Sequence, residues 1–273
     1  MKTFINRCLS SAFFVLLVIY TIFIAPSWFF SLVAMSLIVL ALYEFYTMVE
    51  KRELFVYRYV GIILGILVPL SFHLRMGMVI QNGEDIEPLL IVIVSIFTVM
   101  VQMAKPDTSH ALKRMSVTLF GILYISWFFS FIIKIKYLPH GAGLAALLIA
   151  VTKGGDMGAY VVGSVFGKHA LIPRISPKKS VEGLVGGLLI SLGIALCAAP
   201  FLSHYIRFYH FLILGPLLGM LGQLGDLAES LIKRDCGVKD ASLAFPGLGG
   251  ALDVLDSLLF TTPVFYFYSR MFF

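Results

Sequence analysis

Between Cys8 and Tyr43 the chain carries no charged residue, and this run limits the fold more than any other feature. A helix needs about 20 apolar residues to cross the hydrocarbon of a bilayer. The run is too long for one crossing, and Ala25-Pro26-Ser27 interrupts it. Proline starts or breaks helices, so the pattern predicts two spans, over 8–25 and 27–47. The first could be taken for a signal peptide. Its apolar stretch exceeds an h-region, however, no small-x-small site follows, and a second span comes at once. We expect it to be retained.

The rest of the chain has the same character. Hydrophobic residues make up 59% and charged residues 13%, against about 25% charged in an average soluble domain. Mean hydropathy is +0.95. A soluble fold would lack polar surface, a disordered chain would carry less hydrophobicity and more charge, and a coiled coil would need charged flanking positions. Further charge-poor runs predict spans over 57–72, 88–104, 115–133, 141–166, 183–203, 208–232 and 251–268. No period-two alternation suggests a membrane barrel. The predicted fold class is all-α: a polytopic integral membrane protein with about nine transmembrane helices.

Most of the 21 lysines and arginines fall on one side if the N-terminus is cytoplasmic, which favours N-in, C-out. Arg75, Lys134, Lys136, Arg207 and Arg270 lie on the other side, and Lys153 lies within a span. Lys134 and Lys136 dissent from the rule, although a lysine at a helix end can snorkel. The basic sequence pI of about 9.2 is thereby explained without nucleic acid. Cys8, Cys197 and Cys236 form no CxxC pair, so neither a disulfide framework nor a zinc site is indicated.

The chain reads as one membrane domain in two regions. Residues 1–140 are scaffold helices rich in Leu, Ile, Val and Phe. Residues 141–273 carry the polar chemistry, with cytoplasmic loops over 167–182 and 233–250. Three places stand out. Within the sixth span, Lys153 and Asp156 share a helix face with Tyr160 one turn on. Gly154, Gly155, Gly158 and Gly163 nearby allow close backbone approach. The pattern suits either a structural ion pair or the wall of a polar cavity. The 167–182 loop holds Lys168, Arg174, Ser176, Lys178, Lys179 and Ser180, and ends at a helix start with Ser180 as N-cap and Glu182 in the first turn. Cations and hydroxyls beside a helix N-terminus suit an anion. The same residues also fit an ordinary positive-inside loop, a kinase site or a lipid-headgroup patch.

The third place is the end of the eighth span and the start of the ninth. Asp226, Glu229, Ser230 and Lys233 recur at helical spacing and form one stripe. Asp253 and Asp256 share a face at the start of the next span. Antiparallel neighbours would bring Asp226, Asp253 and Asp256 to similar depth. Clustered carboxylates repel unless a cation binds them, and hard oxygen ligands suit Mg²⁺ held together with substrate phosphates. Gly247, Gly249 and Gly250 would admit a ligand close to the backbone. Lys233, Arg234 and Lys239 offer charge to a phosphate.

These residues resemble a known signature. Ser230, Lys233-Arg234, Lys239-Asp240, Pro246-Gly247, Gly249-Gly250, Asp253 and Asp256 are similar to the pattern of the CDP-diacylglycerol synthase, or phosphatidate cytidylyltransferase, family. Asp156-x-Gly-Ala-Tyr160 and Arg174-x-Ser176-Pro-Lys178-Lys179-Ser180-Val-Glu182-Gly183 look like the same family. The resemblance covers roughly residues 150–260. Leu248 stands where the family usually has His, and Val254 where it usually has Arg.

The resemblance implies transfer of CMP from CTP to phosphatidic acid, giving CDP-diacylglycerol and pyrophosphate for phospholipid synthesis. It further implies Mg²⁺, with room for a second cation, on Asp226, Glu229, Asp253 and Asp256. Lys233, Arg234, Lys239 and Asp240 would then act at the reacting phosphates. Lys153, Asp156, Tyr160, Arg174, Ser176, Lys178, Lys179, Ser180, Gly247, Gly249 and Gly250 would contact substrates. The expected setting is a bacterial inner membrane with the site facing the cytoplasm, among membrane lipids, and the reading is compatible with a homodimer. Two alternatives stand beside it. A CTP-dependent lipid-alcohol kinase would use the same nucleotide but transfer the γ-phosphate. An ion-coupled transporter would use Lys153, Asp156 and Asp226 as its path, though no inverted repeat is visible.

Overall fold

A computed structural model describes residues 15–52, 56–77, 86–242 and 249–273. The start of the first expected span, with Lys2, Arg7 and Cys8, lies outside these residues, as do Gly247 and Leu248. The described part is helical apart from one hairpin. Its elements are α1 (15–23), α2 (Ser27–Glu50), α3 (Arg58–Gly77), α4 (Ile86–Met103), α5 (Ala111–Tyr137), α6 (Gly141–Phe166), β1 (Ala170–Ile172), β2 (Ser176–Ser180), α7 (Val181–Leu202), α8 (Phe208–Asp235) and α9 (Ala251–Phe272). Among the described residues, α2, α3, α5, α6, α7 and α8 are long and apolar enough to cross a membrane, and Glu87–Met103 is apolar but shorter. The protein is an all-α polytopic integral membrane protein. The hairpin corrects one detail: the stretch expected to be a plain loop over 167–182 pairs antiparallel, with Ala170 opposite Ser180 and Ile172 opposite Ser176.

Two compact units divide the chain. One holds the described residues up to Tyr137 together with Cys236–Val254; the other holds Leu138–Asp235 and Leu255–Phe273. The described residues that follow α8, 236–242 and 249–254, fall in the first unit.

In the first unit α2, α3 and α5 form the core. Pro26 is the N-cap of α2, as its fixed φ favours at a helix start. Tyr46, fully buried, donates to the Thr118 carbonyl at 2.8 Å. Gly61 and Gly121 leave room for its ring; a Cβ at Gly61 would sit 2.6 Å from Tyr46 Cζ. The π-helical segment Ile122–Trp127 within α5 places Ser126 so that its hydroxyl donates to the Gly65 carbonyl at 2.5 Å. Lys134, a dissenter from the charge rule, pairs with Glu87 at 2.5 Å, and Arg75 pairs with the same carboxylate at 2.9 Å. Lys136 donates to the Ile22 carbonyl.

In the second unit α6 and α7 meet along a seam of small residues. Gly183 lies by Gly163 and Ala159, and Gly187 by Ala159 and Gly155. Further along, Ser191 donates to the Val151 carbonyl at 3.0 Å. Positions rise along α7 as they fall along α6, so the helices are antiparallel. Small residues are what let helix backbones pack this closely in a membrane. The hairpin joining them is tied at its base. Ser180 caps α7 by accepting from Gly183 N–H at 3.1 Å. Glu182 accepts from the backbone N–H groups of Lys168 and His169 at 3.1 and 3.2 Å.

Candidate functional site

In the second unit several charged groups gather where α6, α8 and α9 meet. Gly225 of α8 makes the approach possible, since a Cβ there would strike the Asp256 carbonyl oxygen and lie 3.2 Å from Ser257 Cα. This brings Asp226 and Glu229 of α8 beside Asp256 of α9. One carboxylate oxygen from each lies within 4.8 Å of the others. Glu229 is wholly buried and Asp256 is 9% exposed.

Each carboxylate also faces a lysine. Lys153 Nζ, from α6, lies 3.2 Å from Asp256 Oδ1, 2.7 Å from Ser257 Oγ and 3.6 Å from Asp156 Oδ2. Lys179 Nζ, from β2, lies 2.8 Å from Asp226 Oδ2, and Lys233 pairs with Glu229 one turn earlier on α8. Gln223 donates to Asp156 at 3.2 Å. Ser230 donates to Asp226 at 3.4 Å. Four carboxylates thus meet three lysines, and the arrangement can exchange partners: a cation bound among Asp226, Glu229 and Asp256 would free ammonium groups to meet phosphate. Hard oxygen donors at this spacing fit a small divalent cation.

The sequence-derived residues are distributed unevenly. Lys153, Asp156, Lys179, Asp226, Glu229, Lys233 and Asp256 converge. Arg174 and Lys178 are exposed on the hairpin and Ser176 is half-buried in β2. Arg234 donates through Nε to the Ile175 carbonyl at 3.3 Å, tying the hairpin to the end of α8. Tyr160 is 77% exposed. Lys239 and Asp240 are exposed.

Asp253 belongs to the first unit. Its Oδ2 accepts from Gly250 N–H at 2.7 Å and from Ala241 N–H at 3.3 Å. Gly249 has φ +91°, and a Cβ there would lie 3.0 Å from Asp253 Cγ. Glycine is the residue that reaches such a φ without strain. Here it serves the turn into α9. Val254 is half-buried in the first turn of α9.

Three residues escaped the sequence reading. Ser257 follows Asp256 directly and Gln223 precedes Asp226 by one turn, so both were within reach of a helical-stripe argument. Glu44 was harder to see. The first helices were read as scaffold, yet Glu44 is 5% exposed within α2. An ionisable group inside a membrane helix is a functional signal in its own right.

Comparison with known proteins adds to this geometry. The profile of the cytidylyltransferase family matches residues 5–272. The chain is 33% identical over 239 residues to a phosphatidate cytidylyltransferase of Thermotoga maritima, covering 85% of this chain and 84% of that one. It is 43% identical over 148 residues to one of Staphylococcus saprophyticus, covering 54% and 55%. It is 36% identical over 154 residues to the uncharacterized protein YnbB of Escherichia coli, covering 56% and 51%. The chain thus spans about half the length of several of the curated relatives it matches.

Proposed function

Because the chain belongs to the cytidylyltransferase family, we propose that it transfers CMP from CTP to phosphatidic acid, releasing pyrophosphate. The observation that carries this reading is the convergence of Asp226, Glu229 and Asp256 within 4.8 Å, with lysines on each of them, in a protein of membrane-crossing helices. A phosphate oxygen of the lipid attacks the α-phosphorus of CTP. The α–β phosphoanhydride bond breaks, and pyrophosphate leaves with the bond's electron pair. The lipid phosphomonoester has a second pKa of about 6, so it attacks as an anion and needs charge neutralisation more than a strong base.

Asp226, Glu229 and Asp256 are the residues that would hold Mg²⁺. When bound, the ion would draw phosphate oxygens together and offset their charge. Lys153, held by Asp256 and Ser257, faces the acceptor phosphate from α6. Asp156, fixed by Gln223, keeps that ammonium in place. Lys179 and Lys233 meet charge developing on the nucleotide and on the leaving pyrophosphate. Arg174 and Lys178, exposed on the hairpin with Ser176, bind the triphosphate tail. Ser180 fixes the start of α7 and so the direction of Lys179. Lys239 and Asp240 keep the phosphate-handling role of the family motif, and Asp253 acts through the turn it caps. Tyr160, exposed on the helix that carries Lys153, lies against lipid and borders the acyl chains.

CTP is cytosolic, so the reading requires an inner membrane with the site facing the cytoplasm, nine crossings, N-in and C-out. The positive-inside distribution supports this orientation. The Arg75–Glu87–Lys134 cluster fits it too, because one carboxylate offsets part of the charge of two cations on the outer side.

The test is direct. Purified protein receives CTP labelled at the α- or γ-phosphate, phosphatidic acid and Mg²⁺. The α-label should enter the lipid while the γ-label leaves as pyrophosphate. Transfer of the γ-label to lipid, or no lipid labelling, overturns the proposal.

A further inference from the structure

Helix α9 begins at Ala251, so Gly250 occupies its N-cap position. The first N–H groups of a helix have no partner within it, and a Ser, Thr, Asp or Asn side chain usually meets one of them. Glycine has no side chain to offer. Asp253 supplies half of a capping box by accepting from Gly250 N–H at 2.7 Å. The next two donors are met from another part of the chain. Glu44 Oε1 accepts from Ala251 N–H at 3.0 Å, and Oε2 accepts from Leu252 N–H at 2.8 Å. Ser242 also donates to Glu44 Oε1, at 2.5 Å. The carboxylate sits so close that a Cβ at Gly250 would lie 2.8 Å from Glu44 Cδ.

We infer that Glu44 is a positioning residue: its carboxylate is the cap that Gly250 cannot supply, and it fixes the first turn of the helix that carries Asp256. Asp256 follows one turn further along α9. A carboxylate is suited to this place, because it meets two N–H dipoles and the positive end of the helix at once. Glycine at 250 and glutamate at 44 are thus two halves of one device. Glycine is required there because the cap comes from outside the helix. The catalytic consequence rests on the CMP-transfer reading; the capping itself does not.

The experiment uses the full chain in detergent or nanodiscs, with amide exchange across 249–256, thermal unfolding and steady-state kinetics read in parallel. Glu44→Ala should raise exchange at Ala251 and Leu252 about tenfold, or ~1.4 kcal/mol. It should lower kcat by a similar factor while KM for CTP stays within about twofold, since a displaced carboxylate affects turnover more than nucleotide binding. Glu44→Gln keeps the volume and one acceptor oxygen, should give a smaller rise, and carries the test where the alanine variant does not fold. Gly250→Ser alone should lower the unfolding midpoint by crowding Glu44. Combined with Glu44→Ala, the same serine has room to cap, so the double variant should exceed both single variants in protection and midpoint. Unchanged exchange in Glu44→Ala, or a Gly250→Ser penalty equal in both backgrounds, overturns the inference. A wild-type protein without CMP transfer overturns the reaction and leaves the exchange result to decide the cap.

Discussion

Replacing Lys153 by methionine removes the one ammonium that lies between Asp156 and Asp256 on the α6 side. At an effective dielectric constant of about 20, unit charges 3.2 Å apart attract by roughly 5 kcal/mol. That is a ceiling, because the ammonium also loses hydration on entering the site. Removing one member of a buried pair costs about 3–5 kcal/mol, and the half-buried state of Lys153 places this case at the lower end, about 3 kcal/mol. For a chain of 273 residues each kcal/mol moves the unfolding midpoint by about 2–4 °C, so Lys153→Met should lose roughly 6–12 °C. Asp256→Asn should also destabilise, by leaving Lys153 with Asp156 at 3.6 Å as its remaining charged partner. The double variant removes both charges, and we expect it to be more stable than the sum of the single changes by about 2 kcal/mol, the scale of coupling between contacting residues. Thermal unfolding of all four proteins at matched detergent measures this. Midpoint shifts that simply add would show that Lys153 is not anchored on Asp256, and its role beside the acceptor phosphate would go with it.

Further outcomes follow from the same geometry. Asp226→Asn, Glu229→Gln and Asp256→Asn should each lower turnover more than tenfold, ~1.4 kcal/mol of barrier, while the protein still inserts; if two of them keep over a tenth of wild-type turnover, the cation does not sit among these carboxylates. Gly225→Ala should lose about 1–3 kcal/mol through overpacking, because the new methyl meets the Asp256 carbonyl; an unchanged unfolding midpoint would deny the close approach of α8 and α9. In a variant lacking Cys8, Cys197 and Cys236, a cysteine at exposed Lys168 should resist an impermeant thiol reagent in sealed cells, and one at exposed Arg270 should react. The reverse pattern would place the site away from CTP.

Some of this was legible before any coordinates. Pro26 does begin α2, and Ser180 with Glu182 does begin α7, because caps and first turns are made by residues next to each other in the chain. The stripe of Asp226, Glu229 and Lys233 was readable because helical spacing alone brings them together. The β1–β2 hairpin was not. Its strands are short and only partly exposed, with Pro177 inside β2 and Pro173 in the turn between them. Its ties come from Glu182 and from Arg234 far along the chain. Asp253 and Asp256 show the same limit. Their spacing suggests one task, yet one carboxylate turns to backbone N–H groups and the other to Lys153.

Hydrophobicity and motif order were enough to read a polytopic membrane protein and the family it resembles. Those properties depend on local composition and on transfer from water to hydrocarbon, which each segment experiences separately. Which polar groups meet is another matter. Glu44 reaches Ala251 and Leu252, and Lys153 reaches Asp256, from positions remote in the chain. Where water is excluded, a buried charge persists only beside a partner within about hydrogen-bonding distance. That distance is set by how closely helix backbones approach at Gly225 and by the room that Gly250 leaves for the Glu44 carboxylate, so the pairing arises from packing and cannot be read from spacing along one helix.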